Sequence, residues 1–146
     1  MFKISTRARY GLRALLELAK HNGKEPINLK DIAANQEISI KYLESIFKLL
    51  KDNKIIKSTR GPGGGYQLVD DPAELNIYNI FVALDGPLTT IDCVSDVEVC
   101  NRTENCRTRL FWEELQNHIT GFLKSKTLQD IIETNPDDVC TWYAYI

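Results

Sequence analysis

The stretch Arg60-Gly61-Pro62-Gly63-Gly64-Gly65-Tyr66 constrains the fold more than any other part of this sequence. Three consecutive glycines take positive φ angles wherever a tight reversal requires them, and the proline beside them excludes helix. Residues 55–60 before it are β-branched and basic, and residues 66–69 after it form a second short run of strand character. The segment predicts a β-hairpin with a flexible, basic-rimmed tip.

Upstream of the hairpin the period is helical. Ser5 or Thr6 can cap a first helix running to about residue 22, with Ala8, Leu12, Leu15 and Ala19 at helical spacing and Gly23 as the stop. Asn28 caps a short second helix with Leu29, Ile32 and Ala33 on one face. Ser39 caps a third, on which Ile40, Leu43, Phe47 and Leu50 are predicted to be buried while Lys41, Glu44, Ser45 and Lys48 share the other face. Helix, short helix, turn, helix and two-stranded ribbon is the order of a winged helix-turn-helix. The predicted fold class is therefore mainly α with a small β-wing, the winged helix-turn-helix domain occupying residues 1–71.

Charge is divided along the chain. Residues 1–70 carry 13 Lys+Arg and 7 Asp+Glu, a balance of +6, whereas residues 71–146 carry 5 Lys+Arg and 13 Asp+Glu, a balance of −8. The front half suits a polyanion and the back half repels one. The third helix is narrow enough to enter a major groove, where its polar face offers donors and acceptors to base edges. The hairpin then reaches an adjacent backbone or minor groove, with Arg60 at its base. Lys41, Lys48, Lys51, Lys54, Lys57 and Arg60 cluster on these two elements, which favours double-stranded DNA as the partner over a purely protein-binding wing.

Beyond Asp71-Pro72, Asn76 caps a fourth helix over residues 77–84, closed by Gly86-Pro87. An irregular stretch with three cysteines follows, and residues 72–107 are read as a connecting helix and cysteine-bearing loop. From about Thr108 to Lys124 runs a longer amphipathic helix with Trp112, Leu115, Ile119 and Phe122 at coiled-coil spacing. A domain this small has little spare core for such a stripe, so a second copy of the chain is its expected partner. This dimerisation helix and a short final helix starting at Thr127 make up residues 108–134, and residues 135–146 are a tail.

Cys93, Cys100 and Cys106 are spaced C-x6-C-x5-C among Asp92, Asp96, Glu98 and Glu104, with Cys140 near the C-terminus. Clustered thiols in a reducing compartment point to metal or redox chemistry before structural disulfides. Thiolates suit iron–sulfur clusters, zinc or copper(I). Tight C-x2-C pairs, usual for zinc, are absent, and wide gaps suit a larger polynuclear cluster; three free thiols remain the alternative.

An enzyme is not expected. Gly61 to Gly65 lacks the lysine and following helix of a phosphate-cradling loop, His21 and His118 have no nucleophile pattern around them, and no C-x-x-C is present. No window approaches the ~18 uninterrupted apolar residues of a membrane span. Lys3, Arg7, Arg9 and Arg13 are not followed by the apolar core of a secretory signal, so a cytoplasmic protein with no membrane partner is the expectation.

Several motifs together resemble the Rrf-two family of bacterial winged-helix regulators, over roughly residues 1–125. They are Ile4-Ser5-Thr6-Arg7 leading to Tyr10-Gly11-Leu12-Arg13-Ala14, Ile38-Ser39 followed by Tyr42-Leu43-Glu44, the wing run Arg60 to Tyr66, and the three cysteines after it. The resemblance implies a homodimeric repressor or activator on a partly palindromic operator, with the long helix as dimer element. It also implies an iron–sulfur cluster, of the [2Fe-2S] type, on Cys93, Cys100 and Cys106. Positions matching the family's DNA contacts are Ser39, Lys41, Glu44 and Arg60, with Glu44 placed to accept from the cytosine amine. With their neighbours, the candidate DNA-binding set is Ser39, Lys41, Tyr42, Glu44, Lys48, Arg60, Gly63 and Gly64.

The chain departs from the family pattern at the fourth cluster ligand. The iron–sulfur members carry a histidine three residues after the last cysteine, where Arg109 stands here. Members that sense nitric oxide use an acidic residue near the start of the partner chain, and the nearest match is Ala8. The remaining candidates are His118, Cys140, Glu104 and Asp92. Two other readings stay open: a cluster-free regulator that senses a metabolic state through a partner protein, and a zinc-stabilised interaction module.

Overall fold

The computed structural model describes residues 4–135. Seven α-helices and one hairpin follow in the order α1 (Thr6–Ala19), α2 (Leu29–Gln36), α3 (Ile40–Asp52), β1 (Ile56–Thr59), β2 (Gly65–Leu68), α4 (Ile77–Asp85), α5 (Asp92–Ser95), α6 (Arg107–Lys124) and α7 (Leu128–Glu133). Two short 3-10 turns, Val97–Val99 and Thr103–Asn105, separate α5 from α6. The architecture is a winged helix-turn-helix followed by a long helix. Among the described residues no helix is long and apolar enough to cross a membrane.

Five helices begin at side-chain caps readable in the sequence. Ser5 accepts from the Ala8 amide, Asn28 from Asp31, Ser39 from Tyr42, Asn76 from Tyr78, and Thr127 from Asp130, the last within a reciprocal capping box. Helix ends follow different chemistry. α1 stops at Ala19, short of residue 22, because the chain tightens: His21 N–H donates to Leu18 and Asn22 N–H to Ala19, before Gly23 at φ +74°.

α2 and α3 both end in a Schellman closure without glycine. After α2, Ile38 N–H donates to the Ala33 carbonyl (3.0 Å) and Glu37 N–H to Ala34 (3.3 Å), with Glu37 at φ +54°. After α3, Ile55 N–H donates to Leu50 (2.9 Å) and Lys54 N–H to Lys51 (2.9 Å), with Lys54 at φ +58°. A left-handed non-glycine residue costs roughly 1–2 kcal/mol. The apolar residue that follows each one, Ile38 or Ile55, is buried and offsets that cost.

The hairpin is in register Ile56↔Leu68, Lys57↔Gln67, Ser58↔Tyr66 and Thr59↔Gly65. Its tip carries Gly61 at φ +99° and Gly63 at φ +77°, and Gly64 N–H closes onto the Gly61 carbonyl at 2.9 Å. Ile27 adds a third, one-residue strand, exchanging two hydrogen bonds with Tyr66 (3.1 and 2.7 Å). Phe47 of α3 meets the Tyr66 ring edge-on at 4.8 Å, which seats the wing on α3.

One buried cluster joins Leu15 and Leu18 of α1, Ile32 of α2, Leu43, Ile46, Phe47 and Leu50 of α3, Ile56 and Leu68 of the wing, Ile77, Ile80 and Leu84 of α4, and Leu128 of α7. α7 closes over the 72–77 segment, with Leu128 N–H donating to Leu75 (2.8 Å) and Gln129 N–H to Pro72 (3.1 Å). Gly11 is where α1 meets α4: a Cβ there would lie 2.5 Å from a Leu84 methyl. Ile40 is not in this core. It is 43% exposed, and Ile46 fills the inward position instead.

Candidate nucleic-acid interface and cysteine segment

Leu43, Ile46, Phe47 and Leu50 fix which side of α3 faces inward, since all are buried. The 100° step between residues then presents Lys41, Glu44, Ser45 and Lys48 outward, and all four are exposed. Ser39 is exposed at the cap, and Tyr42 lies half-buried on the flank, edge-on to Tyr10 of α1 at 6.0 Å. Arg60 and Gly63 are exposed at the wing, and Gly64 is half-buried beneath it. Gly64 tolerates no side chain, because a Cβ there would approach the Thr59 carbonyl oxygen to 2.3 Å.

A polar network from α1 holds the turn that aims α3. Glu17, the buried charged residue of this region, accepts from Lys20 (2.8 Å), Asn35 (2.9 Å) and Gln36 (2.9 Å). Arg13 donates to the side chain of Gln36 (3.2 Å) and also to its carbonyl, while stacking over the Tyr10 ring at 5.4 Å. The turn between α2 and α3 is thus tied to α1 next to the Ser39 cap. The Lys20 hydrogen bond, helped by Asn35, Gln36 and the Lys20 charge, holds the Glu17 carboxyl below its ordinary value against the upward push of burial.

This network makes stability acid-sensitive. Because the native pKa is depressed, the contribution of Glu17 is fully present above the ordinary value of 4.5 and is lost as pH falls through the lowered native value. Glu17→Ala should cost roughly 1–3 kcal/mol at neutral pH, since the Asn35 and Gln36 amides lose a charged acceptor at a part-buried site. The deficit of Glu17→Gln against wild type should narrow as denaturation is repeated at falling pH. A pH-independent deficit would show that the charge is not what matters.

The cysteine segment is pinned to α6 at two points. Thr90 N–H and hydroxyl both reach Gln116 Oε1 at 3.1 Å, and Arg109 Nε donates to the Cys93 carbonyl at 3.0 Å while its guanidinium pairs with Glu113 at 2.8 Å. Cys93 is half-buried in α5, Cys100 is exposed, and Cys106 is half-buried at the head of α6. The Cys106 thiol is pushed down, first by the Thr108 hydroxyl 3.2 Å from its Sγ, then by the Arg109 amide and more weakly by the Arg102 charge. An open pocket of about 520 Å³ is lined by Glu98, Cys100, Arg102, Glu104 and Arg109 among others.

Among the described residues no three His, Cys, Asp or Glu side chains converge as a metal cage. Glu104 is exposed beside Cys100 in the pocket, and Asp92 is exposed at the start of α5. His118 is exposed on α6, 3.8 Å from Glu114, and at 1.5 Å rise per residue it stands about 16 Å along the axis from the helix start. Cys140 lies outside the described residues.

The α6 stripe divides in two. Trp112 and Ile119 are half-buried on the side that packs against the rest of the chain. Leu115 and Phe122 are exposed and continue through Phe111 and His118, giving positions 111, 115, 118 and 122 on one outward seam with the 4-3-4 spacing of a coiled coil.

The family model described as Rrf2, an iron-dependent transcriptional regulator, matches residues 4–134. The chain belongs to the Rrf2 family. Among curated Rrf2 relatives, the HTH-type transcriptional regulator IscR of Photorhabdus laumondii is 35% identical over 130 residues, covering 89% of this chain and 79% of its own. Among solved structures, T. potens IscR superposes with a TM-score of 0.74 at 32% identity, covering 90% of this chain and 87% of its own. CymR, the global cysteine regulator of B. subtilis, superposes at 0.77 with 34% identity, covering 92% of this chain and 100% of its own. This Rrf2 chain is therefore a transcriptional regulator related to IscR, and not an enzyme.

Proposed function

We propose that this Rrf2 protein is a homodimer that reads a partly palindromic operator, with DNA binding modulated by an iron–sulfur cluster. The observation that carries the DNA part is the split of α3: an apolar face buried in the core, and an outward face holding Lys41, Glu44 and Lys48 next to a glycine-tipped, Arg60-bearing wing. In the proposal Glu44 accepts from a cytosine amine, the lysines meet phosphates, and Ser39 and Tyr42 support the N-terminal turn of α3. Gly63 and Gly64 keep the wing slim enough for Arg60 to enter a minor groove.

The donor chemistry of the cysteine segment fits an iron–sulfur group. Cys93, Cys100 and Cys106 are soft ligands, and Cys106 is biased toward thiolate. Those three would hold the cluster, of the [2Fe-2S] type, and Glu104, with Glu98, lines the pocket beside Cys100. When bound, such a cluster supplies redox-active iron whose loss frees the thiols. The chain's own contacts connect this segment to the DNA-reading half. Arg109 ties Cys93 to α6, Asn76 Nδ2 holds the last α6 carbonyl, Lys124, at 2.6 Å, and α4 packs on α1 and α3. Regulation requires that loaded and empty forms differ in affinity for at least one operator.

A second reading, a cluster-free regulator, is favoured by Arg109, which stands where the fourth ligand is expected and is engaged instead with the Cys93 carbonyl. One measurement separates the two. Protein purified without oxygen should contain iron and acid-labile sulfide and show visible charge-transfer bands, all lost on Cys93→Ala, Cys100→Ala or Cys106→Ala. Colourless protein free of iron would support the second reading, and stoichiometric zinc would support a zinc-stabilised module.

A further inference from the structure

Ile40 is the first residue of α3 and the large apolar side chain that this helix leaves outside the core. Leu43, Ile46, Phe47 and Leu50 are at most 1% exposed, whereas Ile40 is 43% exposed and is not among the side chains packed on the core. A single exposed isoleucine on a surface is ordinary. This one is singled out by its surroundings: Ser39, Lys41 and Glu44 around it are all exposed, and Glu44 lies one turn further along the same flank. Cβ bonds tilt toward a helix N-terminus, so the Ile40 side chain projects from the leading end of α3. In helix-turn-helix proteins that end meets base edges.

We propose that Ile40 is a specificity-determining residue that packs against the C5-methyl group of a thymine in the operator. The inference rests on the DNA-reading function proposed above. In the major groove thymine differs from cytosine partly by this methyl, an apolar knob that only an apolar side chain can bury favourably. The proposal also fixes where the thymine lies. One turn of α3 advances about 5.4 Å and one base pair about 3.4 Å, so the thymine is one or two base pairs from the cytosine read by Glu44.

The test uses the full-length protein and an operator enriched by it from a random-sequence duplex pool. Each thymine of the operator is replaced singly by deoxyuridine, which removes the methyl and nothing else. With wild type, one thymine per half-site should be sensitive, its replacement weakening binding about fourfold, the worth of one buried methyl. That thymine should lie within two base pairs of the C·G pair whose sensitivity is abolished by Glu44→Ala. Ile40→Ala should bind thymine and uracil operators equally, while Ile40→Val, which keeps the branched surface, should retain part of the discrimination.

A wild type indifferent to uracil everywhere would overturn the inference, as would Ile40→Ala remaining as sensitive as wild type. If operators are enriched and respond to Glu44→Ala while no thymine responds, only the role of Ile40 falls. If no sequence is enriched, the DNA-reading proposal falls and the role of Ile40 with it.

Discussion

Leu115→Glu should turn the protein into a monomer and lower its affinity for a two-half-site operator by roughly 10²- to 10⁴-fold, the range lost when two linked binding events become independent. The reason is the outward seam of α6. Phe111, Leu115 and Phe122 are 56%, 38% and 61% exposed, an apolar run that the protein's own core does not cover. Each aromatic ring carries an area of about 150–250 Å² that gains by leaving water. The 4-3-4 spacing is that of a helix paired with a second helix, and a carboxylate at its centre faces its own copy. Trp112, Gln116 and Ile119, which face the rest of the chain, are untouched, so thermal stability at high dilution should be preserved. Affinity for an isolated half-site should be nearly unchanged. Sedimentation velocity beside operator titration reads both effects. A variant that stays dimeric and binds normally would remove α6 as the dimer element.

Gly65→Ala should be the most damaging small substitution in the DNA-reading half. A Cβ at Gly65 would sit 2.3 Å from the Ile27 carbonyl oxygen, 2.4 Å from its carbon and 2.9 Å from the Asn28 nitrogen. These are backbone atoms that cannot rotate aside. Relief requires separating Ile27 from the wing, which breaks the two hydrogen bonds between Ile27 and Tyr66. Overpacking costs about 1–3 kcal/mol, and two hydrogen bonds add about 1–3 kcal/mol. The sum is a large part of the stability of a domain of this size, given that native proteins hold only about 5–15 kcal/mol in total. Gly11→Ala should cost less, because its obstacle is the end of the Leu84 side chain. Urea denaturation of the two variants side by side checks the order, and equal losses would contradict the role of backbone crowding at Ile27.

Local chemistry made much of this fold legible in the sequence. Ser5, Asn28, Ser39 and Asn76 cap the helices expected of them, and Thr127, expected as the first residue of the last helix, caps it from just outside, because a cap is decided within three residues. The glycine run gave the hairpin for the same reason. Helix ends were less legible: Glu37 and Lys54 adopt left-handed φ without being glycine, and what compensates is the burial of Ile38 and Ile55 by distant partners. Periodicity alone also misplaced Ile40, which stands on the same side as buried Phe47 but two turns earlier, at the first residue of α3, where it is left exposed. It merged two faces of α6 as well, grouping half-buried Trp112 and Ile119 with exposed Leu115 and Phe122. The cysteine spacing identified thiols suited to soft metals. It could not show that Arg109, where a ligand is expected, instead fastens the Cys93 carbonyl to α6.

In the proposed function the outward face of α3 and the wing together form one surface for duplex DNA. The salt dependence of binding tests it most directly. The equilibrium constant for an enriched operator should be measured across a series of salt concentrations for wild type and for Lys41→Ala, Lys48→Ala and Arg60→Ala. Log K should fall steeply with log salt, and each variant whose lost charge meets a phosphate should flatten the slope by about one unit. Slopes unchanged in all three variants would contradict the account.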